Sequence, residues 1–279
     1  MVENSKFEQK NQRRWSLAQV DASGDFEDNL RQTLNLIESA RTDGCSLIAF
    51  PENFLLRGDG DTIRTLGYKA GEEGLKQLRK KAKEEKINII AGSIPEPVGE
   101  AGGFYNTAYF IDSTGEISAF YRKIHLFDIE LADEFKLREA DYLKPGKEVA
   151  VVDFDGFKCG VGICYDLRFP ELFRQLSKAG AEVIFVPACF TDETGKVHWR
   201  PLLQARAIEN QCYVIAPAQT GKNRINGVDS HGNSLVVDPW GQVVAEKKRR
   251  PGLLNFTINR NRINEIRRKL PALQHRELN

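Results

Sequence analysis

Three stretches of this 279-residue chain carry side chains that inert structure does not require. The first is Phe50-Pro51-Glu52-Asn53, directly after the apolar run Ser46 to Phe50. A carboxylate at the C-terminal end of a strand sits where open α/β sheets place their sites. Alone, Glu52 reads more often as a surface or capping acid than as a catalytic one. The second is Tyr121-Arg122-Lys123-Ile124-His125-Leu126-Phe127. Alone, Lys123 is a solvated charge and His125 a structural hydrogen-bond donor. The third runs from Cys159 through Cys164 to Glu171. A strand-like segment ends at Cys164 and turns into a helix, an elbow geometry that exposes a nucleophile. A lone cysteine there packs as a small core residue. Asp166, Arg168 and Glu171 add three charges within one turn, and buried charges persist only when paired. A thiol, an ammonium and an acid are residue types that nucleophilic catalysis uses.

Bulk composition narrows the classes. The chain is 41% hydrophobic, and a chain of this length buries roughly three-quarters of its unfolded surface, so its core needs no staples. Lys and Arg total 40 against 39 Asp and Glu, a net charge of +1. That balance gives no global pull toward nucleic acid or membrane. No segment reaches the roughly 18 apolar residues of a membrane helix. Met1 to Arg14 is polar and reads as neither signal peptide nor anchor. The five cysteines (45, 159, 164, 189, 212) form no regular framework and are expected as reduced thiols, hence a cytoplasmic protein. The four histidines are scattered and no CxxC occurs, so neither a metal nor a cofactor is expected.

The elements that must position these residues follow from periodicity. Residues 1–12 read as a disordered lead-in and 13–279 as a single domain. Strands are expected at 15–20, 46–50, 87–94, 105–111, 117–122, 149–154, 158–163, 183–187, 212–218, 234–237, 243–245 and 253–258. Helices are expected at 26–42, capped by Asp25, and at 74–85, 171–179, 199–209 and 259–269. The halves resemble each other: Leu47 to Pro51 matches Val183 to Pro187, Ile89 to Gly92 matches Val214 to Pro217, and the hairpin at Asp112 matches that at Asp238. An α/β fold of two mixed β-sheets face to face, with helices outside and a pseudo-twofold between halves, fits best. One open Rossmann-like sheet is the alternative.

In this order, the three stretches resemble the Glu, Lys and Cys motifs of the nitrilase superfamily of carbon–nitrogen hydrolases, from about Trp15 to Gln274. The resemblance implies a four-layer αββα sandwich and dimers that join into an αββααββα assembly. It implies that Glu52 is the general base, Cys164 the nucleophile, and Lys123 the stabiliser of the tetrahedral intermediate, with the Tyr165 N–H as a second oxyanion donor. It places a second glutamate at Glu139, with Glu134 as rival. Lys123 and the helix after Cys164 are expected to favour the thiolate. Arg168 either pairs with a substrate carboxylate or forms an ion pair with Glu171 or Asp166. Phe190 and Thr194 are expected at the same mouth. Val197 to Tyr213 resembles the amidase branch that includes omega-amidases and deaminated-glutathione amidases. The implied reaction hydrolyses a small carboxylate-bearing carboxamide to acid and ammonia through a cysteine thioester. Its alternatives are an N-carbamoyl amino-acid hydrolase and a catalytically silent binding module.

Overall fold

Residues 11–99, 102–131 and 135–277 are described by the computed structural model. The chain opens with β1 (Gln12–Gln19), α1 (Phe26–Thr42), β2 (Leu47–Ala49), α2 (Gly60–Glu85), β3 (Asn88–Pro97), β4 (Phe104–Ile111) and β5 (Ile117–Arg122). A small hairpin follows, β6 (Asp128–Leu131) and β7 (Phe135–Arg138). The second half runs β8 (Val151–Phe154), β9 (Phe157–Val161), α3 (Pro170–Lys178), β10 (Val183–Phe185), α4 (Asp192–Asn210) and β11 (Tyr213–Ala216). It continues β12 (Thr220–Lys222), β13 (Asp229–His231), β14 (Ser234–Val237), β15 (Val243–Lys247), β16 (Gly252–Asn259) and α5 (Arg260–Lys269).

The large strands form two six-stranded mixed sheets, β16-β1-β2-β3-β4-β5 and β15-β14-β11-β10-β9-β8. They correspond strand for strand. In each, three parallel strands are flanked by an antiparallel hairpin on one side and one antiparallel strand on the other. The expected internal matches fall on equivalent pairs: β2 with β10, β3 with β11, and the β4–β5 turn with the β14–β15 turn.

The pleat sorts the core into layers. Trp15, Leu17, Leu47, Ala49 and Ile90 face the second sheet and share a core with Val161, Ile163 and Phe185. The intervening Ala18, Ile48, Ile89 and Ala91 face outward onto Phe26, Ile37 and Leu78 of α1 and α2. On the far side, Leu176 of α3 lies against Gly160 of β9, and α4 packs on β11. The order is therefore helices, sheet, sheet, helices, and the open-sheet alternative is excluded.

Differences from the expected elements have local causes. The helix expected at 74–85 begins at Gly60, where Asp59 caps it by accepting from the Thr62 N–H at 2.9 Å. Gly67 and Gly71 disguise its first half. They are there because α2 lies close on the sheet: a Cβ on Gly71 would stand 2.2 Å from the Pro95 carbonyl oxygen. The helix expected at 199–209 begins at Asp192, its start obscured by Gly195. The β6–β7 and β12–β13 hairpins were not expected. β1 starts at Gln12, paired with Asn259, so the end of the expected lead-in is strand; residues 1–10 lie outside the described residues. Among the described residues no helix is long and apolar enough to cross a membrane.

Candidate active site

Glu52 lies three residues past the end of β2, where a bridge to Ser93 fixes its backbone and Asn53 turns through φ +58°. It is 2% exposed, and every carboxylate contact comes from a donor: Asn106 Nδ2 at 2.9 Å on Oε1, the Cys189 N–H at 2.9 Å on Oε2, and Lys123 Nζ at 2.9 Å on Oε1. Gln219 donates to the Glu52 carbonyl at 3.0 Å. Lys123 follows β5 directly, its N–H bound to the Asn106 carbonyl and its own carbonyl to the Gly146 N–H. Its side chain is buried, with Nζ also 3.0 and 2.9 Å from the two carboxylate oxygens of Glu139. The β6–β7 hairpin explains the spacing of these residues. It leaves the lysine segment after Phe127 and returns at Glu139, whose carboxylate accepts from the Phe127 N–H at 2.8 Å. The structure thus brings Glu139 to Lys123; the rival Glu134 lies outside the described residues.

Cys164 comes three residues after β9 with φ +48°, a left-handed conformation that a β-substituted residue holds only where its surroundings enforce it. Its N–H donates to the Pro187 carbonyl at 2.9 Å, tying the elbow to the end of β10. Asp166 is the other tie. Fully buried, it accepts from the Ile163 N–H (2.8 Å), the Tyr121 hydroxyl (2.7 Å), the His125 N–H (3.0 Å) and His125 Nδ1 (2.6 Å). One carboxylate therefore fastens the cysteine elbow to the segment bearing Lys123. The His125 ring stacks on Phe169, with centroids 3.6 Å apart, and closes the same junction.

Opposing influences set the electrostatics of this cluster. Burial, the Glu52 charge and a hydrogen bond to Glu52 raise the Cys164 thiol well above its ordinary range, against the opposing pull of Lys123. Lys123 pulls toward the thiolate as expected, but burial and Glu52 outweigh it and favour the thiol form of Cys164. A short 3₁₀ turn (Cys164–Arg168) separates the thiol from the N-terminus of α3. Burial works against the Lys123 ammonium, but the charges of Glu139 and Glu52 outweigh it and hold the lysine well above its usual value. Burial and the Glu52 charge raise Glu139 in turn, against Lys123.

Cys164 keeps 7% exposure, through a narrow pocket also lined by Phe127, Tyr165, Arg168, Cys189, Phe190 and Thr194. All four residues expected at the substrate mouth thus meet at the thiol. Neither expected ion pair of Arg168 forms. Asp166 is committed elsewhere, and among the described residues no carboxylate pairs with the guanidinium, which lies over the Tyr165 and Phe190 rings. Asn106, Asp166 and the Cys189 N–H were missed from sequence. Only Asp166, a charge inside an apolar elbow, gave any signal.

This fold and site agree with comparisons to known proteins. Residues 14–268 match the carbon-nitrogen hydrolase family. The chain is 42% identical over 261 residues to a deaminated glutathione amidase of Synechocystis sp., covering 92% of this chain and 96% of that one. It is 36% identical over 290 residues to a deaminated glutathione amidase of Dictyostelium discoideum, covering 100% and 99%. The crystal structure of the C. elegans NitFhit protein superimposes with a TM-score of 0.91 at 36% identity, over 96% of this chain and 65% of that fusion protein. The chain belongs to the carbon-nitrogen hydrolase family, the nitrilase superfamily. It is an amidase, an enzyme that hydrolyses an amide C–N bond.

Proposed function

We propose that the enzyme hydrolyses the carboxamide of a small carboxylate-bearing molecule to acid and ammonia, with Cys164 as nucleophile, Glu52 as general base and Lys123 as oxyanion stabiliser. One observation carries this reading: a buried ammonium and carboxylate, 2.9 Å apart, stand beside the Cys164 thiol on the floor of a pocket lined by the Arg168 guanidinium, which has no ion-pair partner among the described residues.

The chemistry follows from that charge state. As the sulfur attacks the amide carbon, its proton passes to Glu52, so the net charge of the buried cluster does not change. The carbonyl oxygen takes the displaced electron pair and meets the Lys123 ammonium and the Tyr165 N–H; losing one such donor typically costs about 2.7–4 kcal/mol of barrier. Glu52 then protonates the amide nitrogen, the C–N bond breaks, and ammonia leaves a thioester on Cys164. Water, deprotonated by Glu52, attacks the thioester carbon. The C–S bond breaks and the sulfur regains its proton from Glu52. Glu139 holds Lys123 in place through both steps. Phe190 and Thr194 shape the acyl pocket, and Arg168 receives the substrate carboxylate bidentately.

The relatives named deaminated glutathione amidase support an amide as the bond cleaved. Residues 13–279 act as one catalytic unit in this reading. Exposed Val197, Ile208 and Trp240, on and beside α4, support a homodimer formed through that outer layer. The five free thiols suit the cytoplasm.

Ammonia release from glutaramate, succinamate, pentanamide, an N-carbamoyl amino acid and a nitrile tests the assignment. The acidic amides should be turned over best, and Arg168→Ala should raise their KM about tenfold or more while sparing pentanamide. An equal effect on pentanamide would contradict the role of Arg168. Carbon dioxide released with ammonia would favour carbamoyl hydrolysis.

A further inference from the structure

We propose that His198 is a positioning residue for substrate recognition, its imidazole aiming the Arg168 guanidinium at the mouth of the Cys164 pocket without neutralising it. The inference rests on the reading of Arg168 as the carboxylate site and names a residue outside that site on which its specificity depends.

Arg168 Nη1 lies 3.2 Å from Nδ1 of His198, on the second turn of α4. A guanidinium has donors and no acceptor, so the arginine donates and Nδ1 supplies the lone pair. The guanidinium carbon is also 5.8 Å from the Tyr165 ring centre and 5.1 Å from that of Phe190, both pocket walls. The two rings flank the guanidinium, and the imidazole accepts from one of its ends.

The chemistry of the acceptor is the telling feature. An arginine is ordinarily held by a carboxylate, which fixes its direction and also cancels its charge. Here neither neighbouring acid in the chain takes that role: Asp166 is committed to four donors, and among the described residues Glu171 makes no ion pair with Arg168. An imidazole lone pair supplies the direction alone. The full positive charge and the remaining N–H groups stay available to an incoming anion, already oriented. Fixing a flexible arginine before binding removes part of the ordering cost that a substrate carboxylate would otherwise meet. Neutral amides gain nothing from this arrangement, so His198 acts on selectivity rather than on the chemical step.

His198 is exposed, so its replacement leaves the core untouched. The test measures kcat and KM for glutaramate and for pentanamide, which lacks the carboxylate, in the wild type and in His198→Leu, His198→Asn and His198→Asp. Loss of one hydrogen bond to a charged group in His198→Leu should raise the glutaramate KM about three- to tenfold with kcat held within about twofold. Pentanamide kinetics should not move. His198→Asn, whose amide oxygen takes the place of Nδ1, should bring the glutaramate KM back to within about twofold of wild type. His198→Asp, which pairs with Arg168, should raise it beyond the leucine variant. An unchanged KM in His198→Leu, a parallel shift on both compounds, or failure of asparagine to rescue would each overturn the proposal. A wild type that prefers pentanamide to glutaramate would instead overturn the carboxylate reading on which it stands.

Discussion

Replacing Glu52 by glutamine removes one negative charge from beside the Cys164 sulfur while keeping the shape of the side chain and an acceptor for Lys123. If Glu52 is the base, hydrolysis stops. The thiol should nevertheless become more acidic, because the Glu52 charge is the largest influence after burial that holds it protonated. Two like charges about 4 Å apart repel by about 4 kcal/mol at an effective dielectric near 20, equivalent to about three pK units at most. Neighbouring charges more commonly contribute one to three units, so a fall of about one to three units is expected. Below the thiol pKa this enlarges the thiolate fraction about ten- to a thousandfold. Thiolate reactivity declines with its pKa at a Brønsted slope of about 0.5, so the net rate gain is about three- to thirtyfold. The assay is the rate of Cys164 modification by methyl methanethiosulfonate between pH 6 and 10, read by peptide mass spectrometry. Faster modification of Glu52→Gln at pH 7 to 8, with its pH midpoint shifted down, is the expected result. Slower modification with an unshifted or raised midpoint would refute the account of how this site keeps its thiol protonated.

Lys123→Met should abolish turnover and leave Glu52 and Glu139 facing each other without a counter-ion, at a cost of about 3–5 kcal/mol of stability. An acid whose folded-state pKa is raised, as that of Glu139 already is, contributes stability that is present at low pH and lost as pH rises through that pKa. The Tm of Lys123→Met should therefore fall from about pH 5 toward pH 8 more steeply than that of the wild type; parallel curves would contradict the assigned charges. Tyr121→Phe removes one of the four donors to Asp166 and should cost about 1 kcal/mol in urea unfolding, while Asp166→Asn, which turns an NH₂ group toward donors, should cost about 3 kcal/mol and lower kcat. A wild-type kcat in a folded Asp166→Asn enzyme would show that the tie between elbow and lysine segment is dispensable.

Glu52, Lys123 and Cys164 were legible because each follows within three residues of a strand's end, and the structure brings these strand ends together. The repeat of β2 in β10 and of β3 in β11 was legible for a related reason: fully buried parallel strands read as continuous apolar runs. Glu139 was harder. It is set by the β6–β7 hairpin, whose four-residue strands carry little periodic signal. The first halves of α2 and α4 were hidden by glycines that serve close packing, a tertiary demand invisible to helix propensity. The pull of Lys123 on Cys164 was legible because adjacency to a lysine is evident in the motifs, whereas the degree of burial and the opposing influence of Glu52 emerge only in three dimensions. Asn106 and His198 carry no local signature, because each acts on a partner distant in the chain.

The most direct test of the central claim is ammonia release by Cys164→Ala set beside its thermal unfolding. The alanine variant should unfold within a few degrees of the wild type, since only a small, slightly exposed side-chain atom is lost. Its turnover of glutaramate should drop by at least about a thousandfold. A folded Cys164→Ala enzyme that releases ammonia at a rate within tenfold of the wild type would contradict the account.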